Sequence, residues 1–485
     1  MMAGVAPARA QVQDQGTQSP SPSAPIPAQG STTQGPNTGK PPAGVARGVS
    51  GPNNGEPYDP AQSTADTNTL AGAQQFGLGS LERPHNIFDP SLSASELGVT
   101  TSDSSGKLQL TSETIVGGSL NFNRYWNRYH FTAIYSGGES FFRGQNIGGT
   151  PDSPFHDLTL MQEIDWARWH ILLRDDFVAS PGAAFTGTGM GGPGLISQIS
   201  STIEASLNSV GQGFIPGETI QNGNAMRYRN ATLGQVEYFF NRKSSVTVAG
   251  SYGLLDFPGT GYINSHMTTA QAGYEFAFDP NNSIGILGAY SRINYSEAAV
   301  SATSTTSYLA ALAYGWKITG RLALQVFGGP DITTFSVPIG TTTREVSGSG
   351  GASLSYAISR GSLGLSYNHG VTAGSGVYAG SETDQVTGSI GRNLTRVWSA
   401  HANIGFAKNR SIVGSAAQNS FDSVTVSGGV NRSFGPNTNF SLAYTANLQT
   451  SGAPAGCTGA NCSSAYTQHQ ITMNFQWHAR PLVLR

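Results

Sequence analysis

The sequence predicts an all-β chain: a disordered N-terminal tail followed by a single transmembrane antiparallel up-and-down β-barrel of about 18 strands (16–18). Three observations carry this. Apolar and polar residues alternate with a period of two from about Pro84 to Trp477. Short turns and long polar connections also alternate along that stretch. Finally, no run approaches the ~18 consecutive apolar residues that a membrane helix needs, so any crossing of a bilayer must be made by strands closed on themselves.

The hairpin from Val424 to Leu448 is the clearest copy of the repeated unit. Val424, Val426, Val430 and Phe434 share one side of its first arm, and Thr425, Ser427 and Asn431 share the other. On the second arm Phe440, Leu442, Tyr444, Ala446 and Leu448 alternate with Ser441, Ala443, Thr445 and Asn447. Gly435, Pro436 and Asn437 supply the turn between them. A polar face this wet does not suit the core of a sandwich.

The bulk numbers set limits. The chain has 485 residues, enough for one large barrel, and only 11% are charged. Twenty-six basic residues against 28 acidic ones give a net charge of -2, which leaves no basic footprint for nucleic acid.

Met1 to Ala10 ends in Ala8-Arg9-Ala10, the small-x-small form of a signal-peptidase site, and reads as a signal remnant. Up to about residue 80 the chain is rich in Pro, Gly, Gln, Ser and Thr, too poor in large apolar residues to offset the entropy of ordering. Residues 85–478 are assigned to the barrel and 479–485 to a short extension. The outward sets begin with Val116, Leu120 and Phe122, then Tyr129, Phe131 and Tyr135, then Leu158, Leu160 and Ile164, and end with Ile471, Met473, Phe475 and Trp477. The stretch Ser283 to Tyr295 is ambiguous, because Ile286 and Tyr290 oppose Leu287 and Ile293. Strands near ten residues long are expected, with a short turn at Asn123 to Asn127 and long loops such as Gly137 to Pro154 and Ala179 to Asn224.

Parity adds an expectation. Strands counted from Leu108 come to an odd number, whereas single-chain bacterial barrels have an even one. The weak stretch His85 to Leu97, carrying Ile87, Pro90, Leu92 and Ala94, is the one candidate for the missing strand. Both termini then lie on the periplasmic side.

These residues resemble bacterial outer-membrane β-barrel proteins, porin-like or associated with exopolysaccharide export. The strand Gln470 to Trp477 is similar to their C-terminal targeting strand, with eight further residues after it. The resemblance implies a location in the bacterial outer membrane. The partners it implies are outer-membrane lipid, lipopolysaccharide and the barrel-assembly machinery, with polar solute or saccharide as cargo.

The inferred lumen is most charged on three strands: Asp157, Glu163 and Asp165 on one, His170, Arg174 and Asp176 on the next, and Arg227, Arg229 and Glu237 on the third. Opposed charges across a pore wall favour hydrated polar solutes; the plainer role is a paired network that stiffens a wet interior. Within the loop Ala179 to Asn224, Ile196, Ile199, Ile203 and Leu207 recur at helical spacing, a candidate constriction-loop helix or an exposed loop helix. Cys457 and Cys462 share one Gly-rich loop and could form a disulfide in an oxidising compartment. Neither metal-ligand spacing nor a cofactor motif in its proper context is found. The expected function is a passive channel or export conduit. The alternatives are a plugged structural or surface-display barrel and an outer-membrane hydrolase built around His156 or His170.

Overall fold

The computed structural model describes residues 86–102, 108–144, 152–181, 226–241, 243–258, 262–296, 303–336, 342–374, 379–412, 420–435, 437–451, 466–480 and 482–483. Eighteen long strands form one sheet: β1 (Ile87–Ser102), β2 (Leu108–Trp126), β3 (Tyr129–Gly144), β4 (Ser153–Asp165), β5 (Trp169–Pro181), β6 (Met226–Phe239), β7 (Ser244–Asp256), β8 (Asn264–Asp279), β9 (Asn282–Ser296), β10 (Ser304–Thr319), β11 (Leu322–Ser336), β12 (Thr342–Ile358), β13 (Gly361–Thr372), β14 (Ser381–Asn393), β15 (Trp398–Ser411), β16 (Ser420–Ser433), β17 (Thr438–Ser451) and β18 (Tyr466–His478). Each pairs antiparallel with its chain neighbours. Closure comes from β1, which pairs with β2 on one side and with β18 on the other, from Ser91 opposite His478 to Ser102 opposite Thr467. Two further residues, Leu482–Val483, extend that seam against Phe88 and Ile87.

The strand that parity demanded is therefore present, and it closes the ring. Because Ile87 to Ser102 has mixed polar and apolar character, its pairing rather than its alternation fixes it as a strand. Following the registers strand by strand round the ring returns to β1 with a stagger of about 22 residues. Eighteen strands with that stagger imply a tilt of ~40° and, for a circular section, a backbone radius of about 17 Å.

The strands are longer than the ten or so residues expected, from 12 in β13 to 19 in β2. Ladder pairing continues past the apolar stretch wherever neighbouring strands also continue, and it needs no apolar side chain to do so. As a consequence Asn123 is not in a turn. It lies within β2 opposite Thr132, and the turn is only Asn127 and Arg128. Asn127 takes a φ of 57, a left-handed value that Asn tolerates. The expected Gly137 to Pro154 loop likewise shrinks, because β3 runs on to Gly144 and β4 starts at Ser153. The segment 182–225, with the candidate helix, lies outside the described residues, as do Cys457, Cys462 and residues 1–85.

At the short-turn end, side chains close the turns. Asp279 accepts from the Asn281 backbone N–H at 2.7 Å and from the Asn282 amide, and these bonds hold its carboxyl below the ordinary carboxylate range.

Glycine is needed where walls crowd. Gly117 and Gly138 sit opposite each other in β2 and β3, and a Cβ on Gly138 would strike the Val116 carbonyl oxygen. Their bareness gives Phe155 of β4 room to lie over Gly117 and pack with Leu97 and Ile115.

Candidate functional site

The wall has two chemically distinct faces. Outward positions carry Leu173, Val248, Ile286, Leu312, Ile404, Tyr444 and Met473, all exposed. The ambiguity of β9 resolves the same way: Ile284, Ile286 and Tyr290 point out, while Leu287 and Ile293 join small apolar clusters inside. On β15 the outward apolar run extends from Trp398 to Phe406 and meets Lys408. At ~2.5 Å of axial rise per residue for a strand tilted by ~40°, Trp398 to Lys408 spans about 25 Å, the height of a lipid-facing band.

Girdles mark both edges of this band. At the short-turn end Arg432 stacks over Trp398 and Phe434, with centroid distances of 5.2 and 4.5 Å. At the other end Tyr hydroxyls pair with polar partners on the next strand: Tyr135 with His156 at 3.0 Å, Tyr252 with His266 at 3.1 Å and Tyr444 with His469 at 2.8 Å. Between these edges the outward face is largely apolar and, at the surface, exposed. The chain is an outer-membrane-type β-barrel.

Inside, the predicted charged residues lie where alternation put them, on one arc. Asp165, His170 and Glu237 form a row across β4, β5 and β6, and His170 Nδ1 lies 2.9 Å from Asp165 Oδ1. A second tier sits further along: Arg174 Nε is 2.8 Å from Asp176 Oδ2, and the Thr159 hydroxyl donates to Asp176 Oδ1 at 2.7 Å. Arg229, opposite Val178, lies within electrostatic reach of Asp176. Asp157, Arg174, Asp176, Arg227, Arg229 and Glu237 are all buried on the inner face. Charges so removed from bulk water must be paired, as these tiers are.

Sequence reasoning missed a neighbouring station. His130 of β3 places Nδ1 3.0 Å from Glu163 and Nε2 2.6 Å from Asn123, and it stacks on Tyr125 at 3.7 Å. The signal was available in the parity of β3, since His130 is out of phase with Tyr129 and Phe131. Asp331 on β11 was also missed; it accepts from the Ser307 hydroxyl at 2.5 Å. The opposite arc is neutral: Ser366 and Thr387 bond across β13 and β14, and Ser389, Asn403 and Ser427 form a row on β14, β15 and β16.

His156 and His170 fall on opposite faces of the wall, so they share no site. Among the described residues neither bonds a serine hydroxyl, and no cluster of His, Cys, Asp and Glu suits a metal ion. His369 points outward and lies 2.8 Å from Asp384, while His401 faces inward.

No known family matches the sequence, and no curated protein matches it. Among solved structures, the chain is similar to the outer-membrane protein OpdK of Pseudomonas aeruginosa, at 8% identity and a TM-score of 0.40, over 81% of this chain and 99% of that one. It is similar to OccAB4 of Acinetobacter baumannii at 8% identity and a TM-score of 0.41, over 81% and 99% of the two chains. For a BenF-like porin from Pseudomonas fluorescens Pf-5 the values are 10% and 0.41, over 82% and 99%. The barrel itself rests on its own strand pairing.

Proposed function

We propose that this barrel is a passive channel for small polar solutes, with saccharides the best-suited cargo and no side chain performing chemistry. The observation that carries the reading is the inner wall. A ring of eighteen strands is wide enough to enclose water, and its inward positions pair a fixed arc of charge on β3 to β6 with a neutral hydroxyl and amide arc on β13 to β17. Opposed charges orient dipolar solutes, and the neutral arc offers donors and acceptors without binding any one ion tightly. With an even strand number both ends of the barrel lie on the short-turn side, and a periplasmic location for them is supported by the short periplasmic turns usual in such barrels.

A second reading, a barrel whose lumen is closed, draws on the complete burial of inward Ser283, Thr425 and Asn409. Liposome swelling separates the two. Proteoliposomes in isotonic solutions of neutral sugars of increasing size should swell at rates that fall with sugar size. Rates equal to those of protein-free liposomes for the smallest sugar would remove the channel reading and leave the closed one.

A further inference from the structure

The wall does not curve evenly. On β11 the run Phe327-Gly328-Gly329-Pro330-Asp331 interrupts the ladder: Leu309 pairs with Asp331 and Leu312 with Gly328, with no pairing between. Pro330 lacks an N–H, and a Cβ on Gly329 would collide with the Ala310 carbonyl oxygen. At points along their lengths β10 and β12, which are not neighbours, come within 8 Å of each other. Next-nearest strands of a flat sheet stand ~10 Å apart, so the wall curves strongly across β11.

The inner face departs from an even ring as well. Strands β9 and β14 are five apart, and in a circular barrel of this size they would stand about 26 Å from each other. Instead Ile263, Met267, Ile293 and Tyr295, at the long-connection end of β8 and β9, pack with Ala373 and Ala379, which follow β13 and precede β14. A Cβ built on Gly380 would lie 3.1 Å from the Tyr295 hydroxyl and closer still to Ile412. Gly374 and Gly380, at the two described ends of the β13–β14 connection, take positive φ values of 80 and 94, a conformation glycine adopts freely. Tyr295 is 8% exposed and Met267 and Ile293 are 1% exposed, one of several small apolar clusters on an inner face that also carries many polar residues.

We infer that this apolar seam narrows the mouth of the barrel, with Tyr295 as the side chain that sets the aperture and so the size of solute admitted. The inference rests on the channel reading. It adds that selection by size and selection by charge are made in different places: size at the seam between β8–β9 and β13–β14, charge on the β3–β6 arc. An apolar contact suits the first task, because it holds two walls together without binding a polar solute.

The test compares wild type with Tyr295→Ala in the swelling assay, with retention of a heat-modifiable gel shift as proof of folding. Tyr295→Ala should raise the swelling rate for the largest sugar admitted by roughly twofold and extend the size limit, because the seam loses its aromatic ring. A wild type that swells and a folded variant with the same rates and limit would overturn the seam while leaving the channel intact. A silent wild type with a permeable variant would support the seam as the closure.

If neither swells, the channel reading fails and geometry decides alone. In a Cys457→Ser, Cys462→Ser background, Tyr295→Cys with Ala379→Cys should be joined by a short bifunctional thiol reagent in the folded barrel, since the tyrosine reaches this connection with its hydroxyl end, beyond the reach of a direct disulfide. Absence of the cross-link would overturn the contact.

Discussion

Substituting arginine at two adjacent residues of β15 tests the division between the faces. Ile404 points outward and is 53% exposed; Asn403 points inward, in a row with Ser389 and Ser427. Ile404 lies between Trp398 and Lys408, ~15 Å above the lower girdle and about 10 Å below the upper edge, close to the middle of the hydrocarbon. An arginine on the lipid face at that depth costs about 2–4 kcal/mol. Ile404→Arg should therefore lower the folding equilibrium constant by about 30- to 700-fold, at 1.4 kcal/mol per decade. Asn403→Arg meets water and hydroxyls, and its cost should stay within about 0.5 kcal/mol. Urea titration of the barrel in lipid vesicles, followed by fluorescence of its 6 tryptophans, reads both. A cost for Asn403→Arg equal to or above that for Ile404→Arg would show that the faces have been assigned the wrong way round.

Other consequences are as direct. Replacing Asp165 and Glu163 with their amides leaves Asp157, Asp176 and Glu237 against Arg174, Arg227 and Arg229, removing the arc's surplus of carboxylates, so the reversal potential in a salt gradient should move toward anion preference; an unmoved potential would take the arc out of the conduction path. Deleting Ile87 to Ser102 exposes the edges of β2 and β18 to lipid, so no heat-modifiable species should form. Gly329→Ala places a Cβ against the Ala310 carbonyl, and should cost about 1–3 kcal/mol in the same urea titration, whereas Gly320→Ala, with open space around it, should cost little.

Much of this architecture was legible in the sequence because a barrel's determinants are local. Alternation decided which face each of Tyr135, Leu158, Met473 and Phe475 occupies, and the evenness of strand number recovered β1 from a segment that Pro90 makes unconvincing. Strand ends were less legible. Asn123 has turn chemistry, yet it is held in β2 by pairing with Thr132 and by His130, which is distant from it in the pattern but adjacent in space. The charged arc followed from parity alone, but its pairings did not, since His130 and Glu163 meet across a strand boundary. The irregularity of β11 and the apolar seam lay beyond local reasoning: nothing in the chain around Tyr295 announced that it would join a cluster with Ala373 and Ala379.

The most direct measurement is single-channel conductance of the purified, heat-modifiable barrel in a planar bilayer. With oily side chains meeting lipid and hydrophilic ones enclosing a passage, the barrel should give discrete current steps of uniform size, with ion preference that Asp165 and Glu163 control. Stable insertion with no current at any applied voltage would contradict it.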